Sequence, residues 1–248
     1  MRICIISDIH FKYKRNAPED RENEAIVLRF LEKAIGKYDL LILAGDIFDL
    51  WFDWRYAIVK QYFPLLVRLD EIRRAGCRIV HISGNHDFWF NDFLPEYLNV
   101  ELYDRSFSIK ADGKKIHVCH GDEHTVNDLR YQVYRSFIRL PFIRWIFSLL
   151  HPDLALSIGS LLSRSSRGRK KDPNIRSKQQ GGLVKHAQSL IKRGKADYVI
   201  MGHSHHPVLK KLDGGVYANC GDWITHHSFV EVIGGEISIN YYIDKGVI

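Results

Sequence analysis

The chain has 248 residues, of which 46% are hydrophobic and 26% charged, and a formal net charge of +7. This length suits one large domain or one domain with an insertion, and the composition excludes disordered, collagenous and disulfide-stapled classes. The positive balance favours an anionic partner, whether nucleic acid, an acidic membrane surface or a phosphorylated substrate, without choosing among them.

In chain order, residues 2–7 form an apolar run that reads as a buried strand, and Asp8 follows too early for a secretory leader. Apolar runs at 39–44 and 78–82 read as two more strands. Between them, 22–36 and 56–75 carry apolar residues at helical spacing, Ile26, Phe30, Leu31 and Ile35 among them. Strand alternating with helix implies a largely parallel sheet whose ligands bind beyond the carboxyl ends of the strands. Residues 115–120, 197–201, 207–212, 215–220, 228–233 and 236–243 read as strands of a second sheet, several joined by Gly-Gly or Asp-Gly turns.

Segment 123–195 differs in kind, with helical patterns and almost no strand signal. From Arg130 to Lys195 there are 15 Lys or Arg against two acids, Asp153 and Asp172. This marks it as an inserted cap. The apolar stretch 137–162 is broken by Arg139, Pro141, Arg144, Pro152 and Asp153, so no transmembrane span is expected. Cys4, Cys77, Cys119 and Cys220 are scattered without Cys-x-x-Cys spacing and read as buried free thiols of a cytoplasmic protein.

The chemistry gathers at strand ends. Asp8 and His10 end the first strand, where both side chains would point one way if strand geometry persisted. Asp46 and Asp49 follow the second in Gly45-Asp46-Ile47-Phe48-Asp49, and Asn85 and His86 follow the third in Gly84-Asn85-His86-Asp87. His120 ends a later strand in His120-Gly121-Asp122, and His203 and His205 end another in Gly202-His203-Ser204-His205. The neighbouring glycines permit tight turns and close backbone approach. Alone, an Asp after a strand is often a helix cap, and histidines such as His81, His117, His124, His151 and His186 read as structural. Together, Asp8, His10, Asp46, Asn85, His120, His203 and His205 converge on one crevice. Their carboxylate, imidazole and amide donors, without thiolate, suit Mn²⁺, Fe, Zn²⁺ or Mg²⁺.

In that order these motifs closely resemble the five of calcineurin-like metallophosphoesterases, spanning residues 8 to 205. The resemblance implies an α/β fold, a four-layer αββα sandwich, with its core in 1–122 and 196–248 and the helical insertion cap in 123–195. It also implies two divalent ions, Mn²⁺ foremost. One would lie on Asp8, His10, Asp46 and His205 and the other on Asp46, Asn85, His120 and His203, with Asp46 bridging. Such a pair activates water for in-line attack on phosphorus. By the same resemblance, His86 would stabilise the phosphoryl oxygens or protonate the leaving group, and Asp49 would orient His86; a plain turn residue is the other reading of Asp49.

Within the superfamily, Gly45-Asp46-Ile-Phe-Asp-Leu-Trp51, His120-Gly-Asp122 and Asn127-Asp128-Leu-Arg-Tyr131 look most like the UDP-2,3-diacylglucosamine pyrophosphatases of lipid A synthesis, which carry a helical insertion at the same place. That resemblance implies a cap that accommodates acyl chains, and contacts from Asn85, Asp128 and Tyr131 to the sugar nucleotide. Arg164, Arg167, Arg169, Lys170 and Lys171 would meet the pyrophosphate or uridine, unless they form a solvated basic loop. The apolar residues between Phe137 and Leu150 would hold acyl chains or lie on the anionic inner face of the cytoplasmic membrane, or pack onto the sandwich. Many of these enzymes have arginine after the asparagine where this chain has His86. A phosphodiesterase or nuclease is the alternative, favoured by the charge, but the apolar cap speaks against a nucleic-acid partner. A scaffold that has lost catalysis is a third reading, opposed by the presence of all seven ligands and His86.

Overall fold

Alternation along the strands decides what each face covers. In β1 (Arg2–Ile6), Ile3 and Ile5 face one side, Cys4 and Ile6 the other, and all four are fully buried, so this strand has no solvent face. The computed structural model of the chain describes residues 1–125, 129–159 and 173–243. Its first sheet has the order β11-β10-β1-β2-β3-β4, with β2 (Leu40–Leu43), β3 (Arg78–Ile82) and β4 (Glu101–Tyr103) parallel to β1 and β10 (Ser228–Ile233) antiparallel to it; β11 (Glu236–Tyr241) forms the edge. The second sheet has the order β5-β6-β7-β9-β8, built from β5 (Ser106–Ala111), β6 (Lys114–Cys119), β7 (Tyr198–Met201), β8 (Val208–Leu212) and β9 (Gly215–Asn219), with β6, β7 and β9 parallel.

Three apolar clusters define the layers. Ile3, Ile5, Ile42 and Val80 of the first sheet meet Phe107, Val118, Ile200 and Ala218 of the second, forming the interior of the sandwich. The outer face of the first sheet, through Cys4, Ile6, Leu41 and Leu43, shares one apolar cluster with helices α1 (Pro18–Ala34), α2 (Phe63–Arg74) and the short α3 (Phe93–Leu98). In α1, Pro18 supplies the fixed φ of a first turn, Asp20 accepts from the amides of Asn16 (2.8 Å) and Ala17 (3.1 Å), and Ile26, Val27, Phe30, Leu31 and Ala34 make one buried stripe. The outer face of the second sheet, through Cys119, Val199 and Met201, packs on Leu183, Ala187 and Ile191 of α7 (Pro173–Lys192). The result is the four-layer αββα sandwich that the resemblance implies.

The strand assignments shift in two ways. The later half does not supply the second sheet alone: β10 and β11 return to the first, and β5, absent from the expected strands, joins β6 in the second. Sequence reading omits β4 and β5, although Asp112-Gly113 between β5 and β6 is a two-residue hairpin signal.

Among the described residues, segment 123–195 holds α4 (Leu129–Ile138), α5 (Pro141–Leu149), helical residues 152–159 (α6) and α7. The later part of α7 is the outer layer of the second sheet, whereas α4 to α6 sit against the loops of the first. Arg135 pairs with Asp122 (2.6 Å) and Glu123 (2.6 Å), Arg139 donates to the Gly84 carbonyl (2.8 Å), and Arg144 to that of Phe90 (2.8 Å). No helix of the described residues is long and apolar enough to cross a membrane.

Candidate metal centre

β1 ends at Ile6, so strand geometry does not carry Asp8 and His10 to the same side as the alternation argument requires. Both instead take a left-handed backbone, with φ of 54° and 50°, as do Asp46 (54°), His203 (66°) and His205 (56°). Asp and His enter this region more readily than most residues, yet each so held costs of order 1–3 kcal/mol, and such conformations persist where surrounding contacts over-determine them. Those contacts are visible. Asp8 N donates to Gly45 O (3.1 Å) and His10 N to Asp46 O (2.9 Å), lacing the loops after β1 and β2. His203 N donates to Asp8 Oδ2 (2.8 Å), tying the second sheet to the first.

Close approach here needs glycine. A Cβ on Gly84 would lie 2.3 Å from Asp46 Oδ1, and one on Gly202 2.5 Å from Asp8 Oδ2. These glycines let the ligand loops approach one another.

The seven residues gather at the carboxyl ends of β1, β2, β3, β6 and β7. Asp8, His10 and His205 form one group, and Asp46, His120 and His203 another. His205 Nε2 lies 3.4 Å from Asp8 Oδ1, His10 Nε2 3.7 Å from Asp46 Oδ2, and His120 Nε2 3.4 Å from the same Asp46 oxygen. Asn85 Oδ1 faces His120 Nε2 (3.2 Å) and His203 Nδ1 (2.9 Å). Asp46 thus stands between the groups.

The donor set fits divalent cations. Asp8 Oδ1, His10 Nε2 and Asp46 Oδ2 are buried with no hydrogen-bond partner among the described residues, which is costly for polar atoms unless an ion meets them. Donors held about 2.1 Å from one cation lie about 3–3.5 Å apart, close to the spacings here. Burial opposes a charge on His120, but Asp46 overrides it and holds the imidazole up at about 10, so the centre attracts positive charge strongly. His120 Nδ1 donates to the Ala44 carbonyl (2.9 Å), which turns Nε2 toward the site.

His86 stands at the rim, its ring edge-on to His10 with centroids 4.7 Å apart. Its Nδ1 contacts the main-chain carbonyl of Asp49 (2.9 Å). The Asp49 carboxylate meets Lys12 Nζ (3.2 Å) and lies 3.8 Å from His10 Nδ1, and with His10 and His86 it forms a third group of cation-capable side chains. Asp49 thus meets His86 through its main-chain carbonyl and stands beside it with its carboxylate.

Two positioning groups escape sequence reading. Asp87, wholly buried, accepts from the amides of Asp46 (2.9 Å), Ile47 (2.7 Å), Phe48 (3.2 Å) and Gly84 (2.9 Å), and contacts His81 (3.2 Å). Asp222, also buried, contacts His205 Nδ1 (3.3 Å), and although burial raises its pKa, hydrogen bonds from His205, Thr225 and His226 hold it below the usual carboxylate range. Its signal is Gly221-Asp222 just after β9, the same pattern as Gly45-Asp46 after β2. Asp128, Arg164, Arg167, Arg169, Lys170 and Lys171 lie outside the described residues, and of Tyr131 only the backbone place in α4 is described.

Residues 1–207 match the family profile described as "Calcineurin-like phosphoesterase". The chain is similar to a "UDP-2,3-diacylglucosamine hydrolase" of Porphyromonas gingivalis, 27% identical over 92% of this chain and 92% of that protein. Proteins of the same description from Psychromonas ingrahamii (26% identical, 98% and 100% covered) and Blochmanniella pennsylvanica (29%, 86% and 82%) are also similar.

Proposed function

The chain belongs to the calcineurin-like phosphoesterase family and is a metal-dependent phosphoesterase, and from that premise we propose that it hydrolyses the pyrophosphate of UDP-2,3-diacylglucosamine to 2,3-diacylglucosamine 1-phosphate and UMP. The observation that carries the substrate is the outer face of α4 and α5. Ile138, Ile143 and Phe147 pack inward on the core, while Phe142, Trp145 and Leu149 remain 63%, 57% and 67% exposed. Arg139, just after α4, and Arg144 of α5 reach the loop that bears Asn85 and His86. An apolar surface anchored to a phosphoesterase centre matches the chemistry of a diacylated sugar nucleotide, and the relatives' descriptions support the same reading. On this reading 123–195 is a substrate-binding insertion, and its apolar face meets the inner face of the cytoplasmic membrane while substrate is exchanged.

Two divalent ions, Mn²⁺ in our reading, supply Lewis acidity toward the phosphoryl oxygens and toward water when bound. Asp8, His10, Asp46 and His205 hold one, and Asp46, Asn85, His120 and His203 the other. Because His86 Nδ1 donates to the Asp49 carbonyl, Nε2 is the nitrogen that exchanges protons, and it is as the imidazolium that His86 delivers one to the leaving phosphate oxygen. Asp49 contributes that carbonyl, and its carboxylate pairs with Lys12 beside His10. Asn85 is a further contact for a phosphoryl oxygen. Asp128 and Tyr131 on the sugar nucleotide, and Arg164, Arg167, Arg169, Lys170 and Lys171 on the pyrophosphate, complete the proposal.

The test is a Mn²⁺-dependent assay on UDP-2,3-diacylglucosamine beside a bis-aryl phosphodiester, for the wild type and His120→Ala. Release of UMP from the lipid in preference to turnover of the aryl ester, lost in the variant, is expected. Turnover of the aryl ester alone would retain the phosphoesterase and discard the lipid, and cleavage of nucleic acid would then be measured.

A further inference from the structure

We propose that Asp222 is a positioning residue for His205: its carboxylate accepts a hydrogen bond from Nδ1–H of the imidazole and so presents the Nε2 lone pair to the cation shared with Asp8 and His10. The inference rests on reading Asp8, His10 and His205 as cation ligands.

The two nitrogens of His205 face different partners. Nδ1 lies 3.3 Å from Asp222 Oδ2, while Nε2 lies 3.4 Å from Asp8 Oδ1, an oxygen with no hydrogen-bond donor among the described residues. An ionised carboxylate only accepts, so the proton of neutral His205 resides on Nδ1 and the lone pair on Nε2.

The carboxylate is held by its own loop. Oδ1 accepts from the amides of Thr225 (2.9 Å) and His226 (2.9 Å) and contacts the His226 ring (3.2 Å), which leaves Oδ2 for His205. The loop is fixed in turn to the other ligand, because Trp223 N donates to the Asp8 carbonyl (3.2 Å) and the Trp223 ring packs on Phe30 and Phe229. One short segment thereby sets the distance between Asp8 and the group that orients His205. Gly221 (φ +76°) makes the turn, and a Cβ there would lie 2.1 Å from Ser228 Oγ.

Asp222→Asn separates this role from a structural one. Both loop amides need an acceptor, so the new carbonyl stays on Thr225 and His226 and the NH₂ turns to His205. Two donors then face each other, and His205 shifts its proton to Nε2, toward the cation.

The experiment is Mn²⁺ titration of the chelator-stripped chain by calorimetry, with Mn²⁺ electron paramagnetic resonance as a second readout. The variants are Asp222→Asn, His205→Ala and the double variant. The wild type is expected to take up two ions. Asp222→Asn should weaken one of them by about 10–100-fold, leave the other within twofold, keep the metal-free Tm, and add nothing in the His205→Ala background. Wild-type affinities in Asp222→Asn would overturn the proposal, as would equal weakening of both ions with a lowered metal-free Tm, or a further loss on top of His205→Ala. A wild-type chain that takes up no Mn²⁺ would instead sink the cation reading of Asp8, His10 and His205, and the positioning role with it.

Discussion

Left-handed backbone at Asp8, His10, Asp46, His203 and His205 turns side chains from separate strand ends into one space, and the surrounding hydrogen bonds keep them there. Asp87 does much of this work for Asp46. It is the acceptor for the amides of Asp46, Ile47, Phe48 and Gly84, all from inside the protein where water cannot substitute. Replacing a charged, buried acceptor strands its donors at about 1–3 kcal/mol each, reduced by relaxation. Asp87→Ala is therefore expected to lower stability by about 3 kcal/mol or more and to weaken Mn²⁺ binding. An unchanged urea midpoint would contradict that account. Asp49 acts with both its main chain and its side chain: its carbonyl receives His86 Nδ1, and its carboxylate meets Lys12 and stands in one group with His10 and His86.

Among the elements, the helices of 123–195 divide by what they cover. The later half of α7 closes the outer layer of the second sheet with Leu183, Ala187 and Ile191, while α4, α5 and α6 lie over the site loops. Tyr13 Oη donates to the Leu156 carbonyl of α6 (3.1 Å), and a Cβ on Gly159 would meet Leu50 at 2.4 Å, so α6 rests on the loop that follows Asp49. The exposed residues of α5 have no part in this anchoring. Phe142→Ser with Trp145→Ser should accordingly change stability by no more than about 0.5 kcal/mol each, raise KM for UDP-2,3-diacylglucosamine, and leave kcat/KM on a bis-aryl phosphodiester within twofold. An unaltered KM for the lipid would remove the acyl-binding role from this face.

At the scale of the whole molecule, the cation centre is where the two sheets are joined, since its groups come from β1 to β3 of one and β6 and β7 of the other. Cation binding should then stabilise the sandwich as a unit. At Mn²⁺ concentrations one hundredfold above Kd the linkage amounts to about 2.7 kcal/mol for each ion bound, or a Tm higher by about 5–10 °C per ion for a chain of this size. Scanning calorimetry of the chelated and Mn²⁺-loaded chain checks this, and identical Tm values would count against it. The sequence by itself determined the identity and order of the seven cation-capable residues, because each follows a short apolar run and glycines accompany most of them, and these are local features. It likewise determined the burial of β1, β2 and β3 and the helical, basic composition of 123–195. Only the tertiary structure decided that β10 and β11 rejoin the first sheet, that α7 belongs to the sandwich, and that Asp87 and Asp222 hold the ligand loops. Those outcomes depend on hydrogen bonds between residues up to about two hundred positions apart, such as His203 to Asp8, and no local pattern of residue types encodes which distant partner a strand edge or a carboxylate will meet.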